Sequence, residues 1–465
     1  MNFYDDIDMY GSAAAIISED SEYVTYTELL KAADLIKSQF KKKCLVFSVC
    51  ENNLESVVGY IGFLRTRVVP VLFNQSINRE LFDNLLATYQ PEFIWLPREK
   101  TAANWGIEVY HYGNYVLLKT GYATDYTLHE DLALLLTTSG STGSPMLVRQ
   151  SYKNITSNAN AIAQYLEISQ TDRPITTMPM SYTYGLSIIN SHLLKGCAII
   201  LTNKSFMEKA FWGHLKVHKA STFGGVPYVY EMLNKLGFLK MELPSLKYLT
   251  QAGGKLNPEL SLEFARGCKK KGVKFIVMYG QTEGTARLSF LSSEFAITKV
   301  GSMGKAIPGG EFWLEDEHGN TISEKDTVGE LVYQGDNVTM GYASSCADLG
   351  KGDENNGVLR TGDMAKRDTD GFYYIVGRKK RFLKLFGNRV NLDEIEQLIK
   401  GLGYNCACSG EDDHMRIYSS DKEHLPTINR FLAERTGISQ LGFEVIFIEI
   451  IPRNEAGKVL YTALK

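Results

Sequence analysis

The feature that most constrains the fold of this 465-residue chain is a recurrent alternation of short apolar runs with stretches of helical periodicity. Cys44 to Cys50 reads as a buried strand, Asn53 to Arg65 as a helix, Val68 to Phe73 as a second strand and Glu92 to Leu96 as another. Thr27 is expected to cap an earlier helix in which Leu29, Leu30, Ala33, Ile36 and Phe40 share one face. Strand candidates continue at Leu132 to Thr137, Ile175 to Met178, Ala198 to Thr202, Thr222 to Gly225, Tyr248 to Ala252 and Phe275 to Tyr279. Strands separated by helices require sheets rich in parallel pairs, covered on both faces. From about residue 300 the chain turns glycine-rich, with short extended pieces that suit a compact β subdomain running to about 379. The basic cluster Arg378-Lys379-Lys380-Arg381 marks a boundary. Beyond it, a helix from Leu392 to Lys400 and an extended piece from Phe443 to Ile451 give an α+β pattern. The expectation is an α/β protein with a large N-terminal domain, residues 1–379, and a small α+β C-terminal domain, residues 380–465.

Charge and termini exclude several functions. Lys and Arg number 50 against 53 Asp and Glu, a net charge of −3, so no basic excess exists for binding nucleic acid. The segment Met1-Asn2-Phe3-Tyr4-Asp5-Asp6 has neither the basic nor the apolar region of a signal peptide. The longest apolar run, Leu132 to Leu136, is too short for a membrane span. Seven scattered cysteines, an odd number mostly in apolar surroundings, fit reduced thiols and a cytoplasmic location. Cys406-Ala407-Cys408 lacks the two-residue spacer of a zinc or redox pair. His214 and His218 lie four apart on an expected helix, Phe211 to Lys219, with no third ligand in sight, and read as an exposed helix face.

Five segments carry chemistry. In Leu136-Thr137-Thr138-Ser139-Gly140-Ser141-Thr142-Gly143, a strand enters a loop of glycines and hydroxyls that lets backbone N–H groups converge on an anion. No Gly-Lys-Ser/Thr follows, so it is not a Walker A loop. Tyr279-Gly280-Gln281-Thr282-Glu283 ends another strand in a tight turn. Its tyrosine could stack on a base, and its carboxylate could hold magnesium. Asp363 follows a glycine turn, where a carboxylate can take two ribose hydroxyls. The fourth segment is Gly377 to Lys384 with Gly387-Asn388-Arg389-Val390, and the fifth is Pro452 to Lys458.

In order and spacing these segments resemble the adenylate-forming superfamily of acyl-CoA synthetases, peptide-synthetase adenylation domains and luciferases, from Thr25 to Lys458. The resemblance implies an ATP-dependent ligase that joins a carboxylic acid to AMP with release of pyrophosphate, then passes the acyl group to a thiol. It implies a phosphate cradle at Thr138, Ser139, Gly140, Ser141, Thr142 and Gly143. Glu283 would be the Mg2+ ligand, with Thr282 beside the α-phosphate. Gly253, Gly254, Tyr279 and Gln281 would form the adenine slot, and Asp363 and Arg378 the ribose contacts. Lys458 would bridge carboxylate and α-phosphate in the adenylation transition state. It further implies a mobile C-terminal domain pivoting at Lys380, with Gly387 lining the thiol tunnel.

The chain departs from the family pattern in three places. The phosphate loop usually continues Gly-x-Pro-Lys, whereas this one reads Gly143-Ser144-Pro145-Met146. Arg149 is the next cation, and strand alternation would turn it away from position 146. Tyr182 stands in a slot where acyl-CoA synthetases often have histidine. The C-terminal domain is short for the family. By position, Tyr182, Tyr184, Gly224, Gly225, Tyr228, Gln251 and Ala252 are acyl-pocket candidates, although the tyrosines equally suit core packing. No carboxylate neighbours Tyr182 to hold an ammonium, so the acid is expected not to be an α-amino acid; a small or hydroxylated acid suits the tyrosines and Gln251. The thiol is CoA or the phosphopantetheine of an acyl carrier protein. The alternatives are a catalytically weakened acyl-AMP or nucleotide-binding module, which the methionine at 146 would favour, and oxidation of the adenylate with emission of light.

Overall fold

The structure, a computed structural model, describes residues 1–123, 125–137, 146–385, 388–436, 440–453 and 459–464. The chain divides into two compact units. The first contains Met1–Gly301, Ala306–Glu311 and Gln334–Leu359; the second contains Ser302–Lys305, Phe312–Tyr333 and Arg360–Lys465.

The first unit is built on two large sheets. One has eight strands, in the order Gly341–Ala343, Leu147–Ser151, Leu132–Thr137, Val69–Asn74, Leu45–Cys50, Phe93–Pro97, Tyr115–Lys119, Ile107–Tyr112. Its centre is parallel and its flanks antiparallel. All six residues of Leu45–Cys50 are buried, as a strand covered on both faces requires. The other sheet sets Thr222–Gly225, Tyr248–Gln251 and Lys274–Tyr279 side by side in parallel, with Ser289–Leu291 antiparallel beyond them. The strands the sequence leads one to expect here, from Leu45–Cys50 to Lys274–Tyr279, lie within a residue or two of their expected bounds, whereas Ile107–Tyr112, Tyr115–Lys119, Leu147–Ser151 and Ser289–Leu291 are additional.

Local chemistry explains where expectation and structure part. The first long helix, Tyr26–Lys37, is capped by Thr25 and not by Thr27. Glu28 decides this. Thr25 Oγ1 accepts from the Glu28 N–H, and the Glu28 carboxylate accepts from the Thr25 N–H at 2.8 Å, a reciprocal box that Thr27 has no partner to form. The expected strand Ile175 to Met178 is reduced to isolated bridges, Pro174 to Thr222 and Ile175 to Ile200. Pro174 has no N–H to give, and the Thr176 side chain satisfies Thr202 by accepting its N–H at 2.9 Å and donating to its carbonyl at 3.1 Å.

The second unit holds most of a four-stranded sheet, Gly310–Glu315, Gly329–Gly335, Val358–Arg367 and Tyr373–Arg378, in that order. It continues into a three-stranded sheet, Cys406–Glu411, His414–Ser419 and Phe443–Phe447, with helices Leu392–Gly401 and Leu425–Thr436. Ile395, Ile399, Cys406, Cys408, Met415, Ile417, Ile428 and Leu432 form its core. Cys406 and Cys408 are therefore buried free thiols. Among the described residues no helix is long and apolar enough to cross a membrane.

Candidate active site

Three parallel strands of the first unit end together, and their carboxyl ends carry many of the candidate residues. The register pairs Gly225 with Gln251 and Gln251 with Val277, two residues before Tyr279. Open parallel sheets bind ligands outside the carboxyl ends of their strands. The turn after Tyr279 has a steric requirement: a Cβ on Gly280 would lie 1.7 Å from the Ala286 carbonyl oxygen, so only glycine fits. The chain then winds into a 3-10 turn, Thr282–Gly284. Gln281 Nε2 donates to the Tyr279 hydroxyl at 3.3 Å.

Glu283 is held on both its backbone and its side chain. Its carbonyl accepts from the Thr339 N–H at 3.0 Å, and its Oε1 accepts from the Tyr342 hydroxyl at 2.6 Å. The neighbouring Thr282 carbonyl accepts from Gln150 Nε2 at 3.3 Å. Gln150 belongs to Leu147–Ser151, the strand that leaves the phosphate loop. Thr282 and Glu283 are thus both tied to the eight-stranded sheet. Glu283 is half-buried, and the described residues include no group of three His, Cys, Asp or Glu side chains able to cage a metal. A single accessible carboxylate suits magnesium, which keeps several waters and takes phosphate oxygens as its other ligands.

The cradle residues Thr138, Ser139, Gly140, Ser141, Thr142 and Gly143 lie outside the described residues, as do Gly387 and Lys458. The strands flanking the cradle pair antiparallel, Thr137 opposite Leu147. Arg149, the nearest cation to Met146, is fully buried and committed elsewhere. Its guanidinium donates to the carbonyls of Met340, Tyr342, Lys351 and Gly352 and to the Glu354 carboxylate. It anchors the 340–354 segment and offers no charge in place of the missing lysine.

Gly253 and Gly254 follow the middle strand. Gly253 adopts a φ of +82°, and a Cβ there would sit 2.8 Å from Val226 Cγ1 and 3.0 Å from the Tyr182 hydroxyl. Gln251 is buried, and its Nε2 donates to the carbonyls of Ala252 and Gly254, which shapes this turn. Tyr182 immediately precedes the helix Thr183–Leu193 without capping it through its side chain, and burial pushes its hydroxyl pKa up to about 12. Tyr184 is buried, with its hydroxyl against the carbonyl and Oγ1 of Thr250, each at 2.9 Å. A Cβ on Gly224 would lie 3.0 Å from that hydroxyl, and one on Gly225 would lie 2.8 Å from Val229. Tyr182, Tyr184, Gly224 and Gly253 are therefore neighbours, whereas Tyr228 is half-exposed on the helix Pro227–Lys235.

Sequence reasoning missed Arg287. It is 2% exposed and donates to Ser187 Oγ, the Tyr165 hydroxyl and Met278 Sδ, with its guanidinium 4.5 Å from the centre of the Tyr184 ring. The available signal was an arginine inside the otherwise uncharged run Gly284 to Leu291. His214 and His218 also differ from expectation. Both are buried, with rings 4.5 Å apart, and His218 lies within hydrogen-bond reach of Ser21 and Tyr23, so they form an interior packing pair.

In the second unit, Asp363 and Arg378 face each other across neighbouring strands and form an ion pair of 2.8 Å. The Asp363 side chain is 4% exposed and that of Arg378 59%, so the arginine screens the carboxylate from solvent. Lys380 falls in the 3-10 turn Lys379–Arg381 that follows. Arg381 pairs with Asp393 and Glu396 and stacks 3.7 Å from the Tyr461 ring centre, which secures the chain just after the expected pivot.

The first unit thus gathers Gly253, Gly254, Tyr279 and Glu283 at the ends of parallel strands, the arrangement expected of a nucleotide-binding α/β enzyme. The chain belongs to the AMP-binding enzyme family, whose model matches residues 3–343. It is 26% identical to a 2-succinylbenzoate–CoA ligase of Bacillus cereus strain Q1, over 97% of this chain and 95% of that protein. Two solved structures of o-succinylbenzoate CoA synthetase from Bacillus subtilis share the fold. The complex with the acyl-adenylate intermediate has a TM-score of 0.81 at 21% identity, covering 100% of this chain and 98% of that one. The complex with ATP and magnesium has a TM-score of 0.77 at 22% identity, covering 100% and 99%.

Proposed function

We propose that this chain is an ATP-dependent carboxylic acid–CoA ligase, and that its acid is 2-succinylbenzoate or a close analogue. In the first half-reaction a carboxylate oxygen of the acid attacks the α-phosphorus of ATP, and the bond to the bridging oxygen breaks to release pyrophosphate. In the second, the CoA thiolate attacks the acyl carbonyl and AMP leaves. The observation that carries this reading is the convergence of Tyr279, Glu283 and the Gly253-Gly254 turn at adjacent strand ends, with Glu283 oriented by Tyr342.

In this reading Glu283 holds Mg2+, which when bound neutralises phosphate charge, and Thr282 lies beside the α-phosphate. Gly253, Gly254, Tyr279 and Gln281 border the adenine, and Asp363, positioned by Arg378, takes the ribose hydroxyls. The loop Thr138 to Gly143 cradles the outer phosphates and Lys458 bridges the reacting groups. Residues 380–465 turn about Lys380 between the half-reactions, and Gly387 leaves room for the pantetheine arm. The identity of the relatives favours CoA over a carrier protein as acceptor. The sequence supports an acid that is not an amino acid, since Tyr182 has no carboxylate beside it in the chain.

The second reading, a weakened nucleotide-binding module, rests on Met146 and on the commitment of Arg149 to other partners. Pyrophosphate exchange over a panel of carboxylic acids separates the two. Acid-dependent exchange supports the ligase. ATP binding without exchange for any acid supports the module.

A further inference from the structure

We propose that Arg287 is the specificity-determining cation of the acid pocket, and that it selects acids bearing a second negative charge, in particular dicarboxylic acids. The inference rests on the acid–CoA ligase reading. It begins with an electrostatic imbalance. Arg287 is 2% exposed, and among the described residues its side-chain partners are neutral: Ser187 Oγ, the Tyr165 hydroxyl, Met278 Sδ and the face of the Tyr184 ring. No described carboxylate forms an ion pair with it, whereas the buried Arg149 has Glu354. A desolvated charge without a counter-charge costs several kcal/mol, so a fold retains one where a charge of opposite sign will arrive.

The guanidinium is also fixed in place. Asn158 and Asn337 donate to the Arg287 carbonyl at 2.9 and 3.0 Å and hold its backbone. Ser187 spends its own proton on the Tyr184 carbonyl at 2.7 Å, which leaves its lone pairs for Arg287. Tyr165 is stacked on Phe290 at 4.3 Å, so its hydroxyl cannot wander. Each neighbour therefore orients a neutral acceptor and none cancels the charge. A guanidinium held this way, in surroundings of low polarity, imposes a field that adjacent space feels without direct contact.

The ring that the guanidinium faces belongs to one of the acid-pocket candidates, Tyr184. Tyr184 places its hydroxyl beside Gly224, and the neighbouring Tyr182, its ring 6.3 Å from that of Tyr184, reaches Gly253. An acid lying there with one carboxylate at the reacting centre would meet the Arg287 field with its other end. A second carboxylate gains attraction, a neutral end gains nothing, and an ammonium is repelled. The same charge thus supplies a further reason for the site to refuse amino acids.

The test compares 2-succinylbenzoate with 4-oxo-4-phenylbutanoate, the same acid without its ring carboxylate, in pyrophosphate release by the full chain. The unmodified protein should favour the dicarboxylate by about tenfold or more in kcat/KM. Arg287→Gln and Arg287→Met should bring that ratio towards one through a raised KM for the dicarboxylate, with the monoacid little changed, and Arg287→Lys should keep much of the preference. Parallel loss with both acids in the variants would mean that Arg287 only supports the fold, and would overturn the proposal. Should both neutral variants fail to fold, the preference of the unmodified protein decides: a ratio near one, or one that collapses on raising ionic strength as for an exposed charge, overturns the proposal, and a ratio of ten or more that persists at high salt supports it. Release with neither acid nor any other would instead overturn the ligase reading, and this inference with it.

Discussion

Tyr342 donates its hydroxyl proton to Oε1 of Glu283 across 2.6 Å, and so ties the candidate magnesium ligand to the edge of the eight-stranded sheet. The strand Gly341–Ala343 pairs with Leu147–Ser151, residue for residue from Gly341 opposite Arg149 to Ala343 opposite Leu147. Burial, and then the neighbouring Glu283 carboxylate, push the Tyr342 pKa well above the usual tyrosine range, so the donor keeps its proton at any working pH. Tyr342→Phe should leave the fold intact but free the Glu283 carboxylate to rotate. Loss of one charge-assisted bond corresponds to about 1.5–3 kcal/mol. The magnesium concentration for half-maximal pyrophosphate release should therefore rise by roughly tenfold or more, as a magnesium titration at saturating ATP would read.

Met146 and Arg149 make opposite predictions. Met146→Lys adds a cation where the family usually carries one, so KM for ATP should fall while thermal stability is unchanged. Arg149→Ala should behave as a core lesion, because it removes a fully buried guanidinium together with its bonds to four carbonyls and to the half-exposed Glu354 carboxylate. A loss of about 1–3 kcal/mol for each buried carbonyl left unsatisfied is expected, seen as a fall in the denaturant midpoint before any effect specific to ATP.

His192 predicts an acid limb to stability. It is fully enclosed, with Nδ1 at 2.8 Å from the Ile188 carbonyl and Nε2 at 3.0 Å from the Tyr248 hydroxyl, and burial lowers its pKa to about 4. The unfolded chain binds a proton near pH 6.5 that the folded chain refuses until about 4. Its contribution is therefore whole above pH 6.5 and is lost as the pH falls towards 4, on the order of 3 kcal/mol in all. His192→Gln should flatten the pH dependence of the melting temperature in that interval, even though it lowers stability at neutral pH.

Lys458→Ala should cut the adenylation half-reaction by about 10²–10³, the loss of one transition-state cation. Thioester formation from supplied acyl-adenylate should be almost untouched if residues 380–465 have turned the lysine away by then. The two rates are measured separately by pyrophosphate release and by CoA consumption, and equal losses in both would contradict the domain rotation about Lys380.

The parallel strands were legible because a doubly covered strand is apolar throughout, so Leu132–Thr137 and Thr222–Gly225 stand out within a residue of their observed bounds. The hairpin Ile107–Tyr112 with Tyr115–Lys119 was not, since its outer strand is largely exposed and interleaves Glu108 and His111 with Ile107 and Val109. At the site, turn chemistry made Gly280 and Glu283 visible, while their anchors Tyr342, Thr339 and Gln150 come from distant segments that no local pattern links. Arg287 was hidden for a similar reason. Its meaning depends on which groups surround it, and helix Thr183–Leu193, a hundred residues earlier, supplies the Ser187 that receives two of its N–H groups.

The ligase reading is tested most directly by the product balance of the unmodified protein supplied with ATP, magnesium, 2-succinylbenzoate and CoA. The account predicts one pyrophosphate and one AMP for each CoA thioester formed, with none of the three appearing when the acid is omitted. ATP that binds and stays intact with every acid tried, or that yields ADP and phosphate in place of AMP and pyrophosphate, would contradict it.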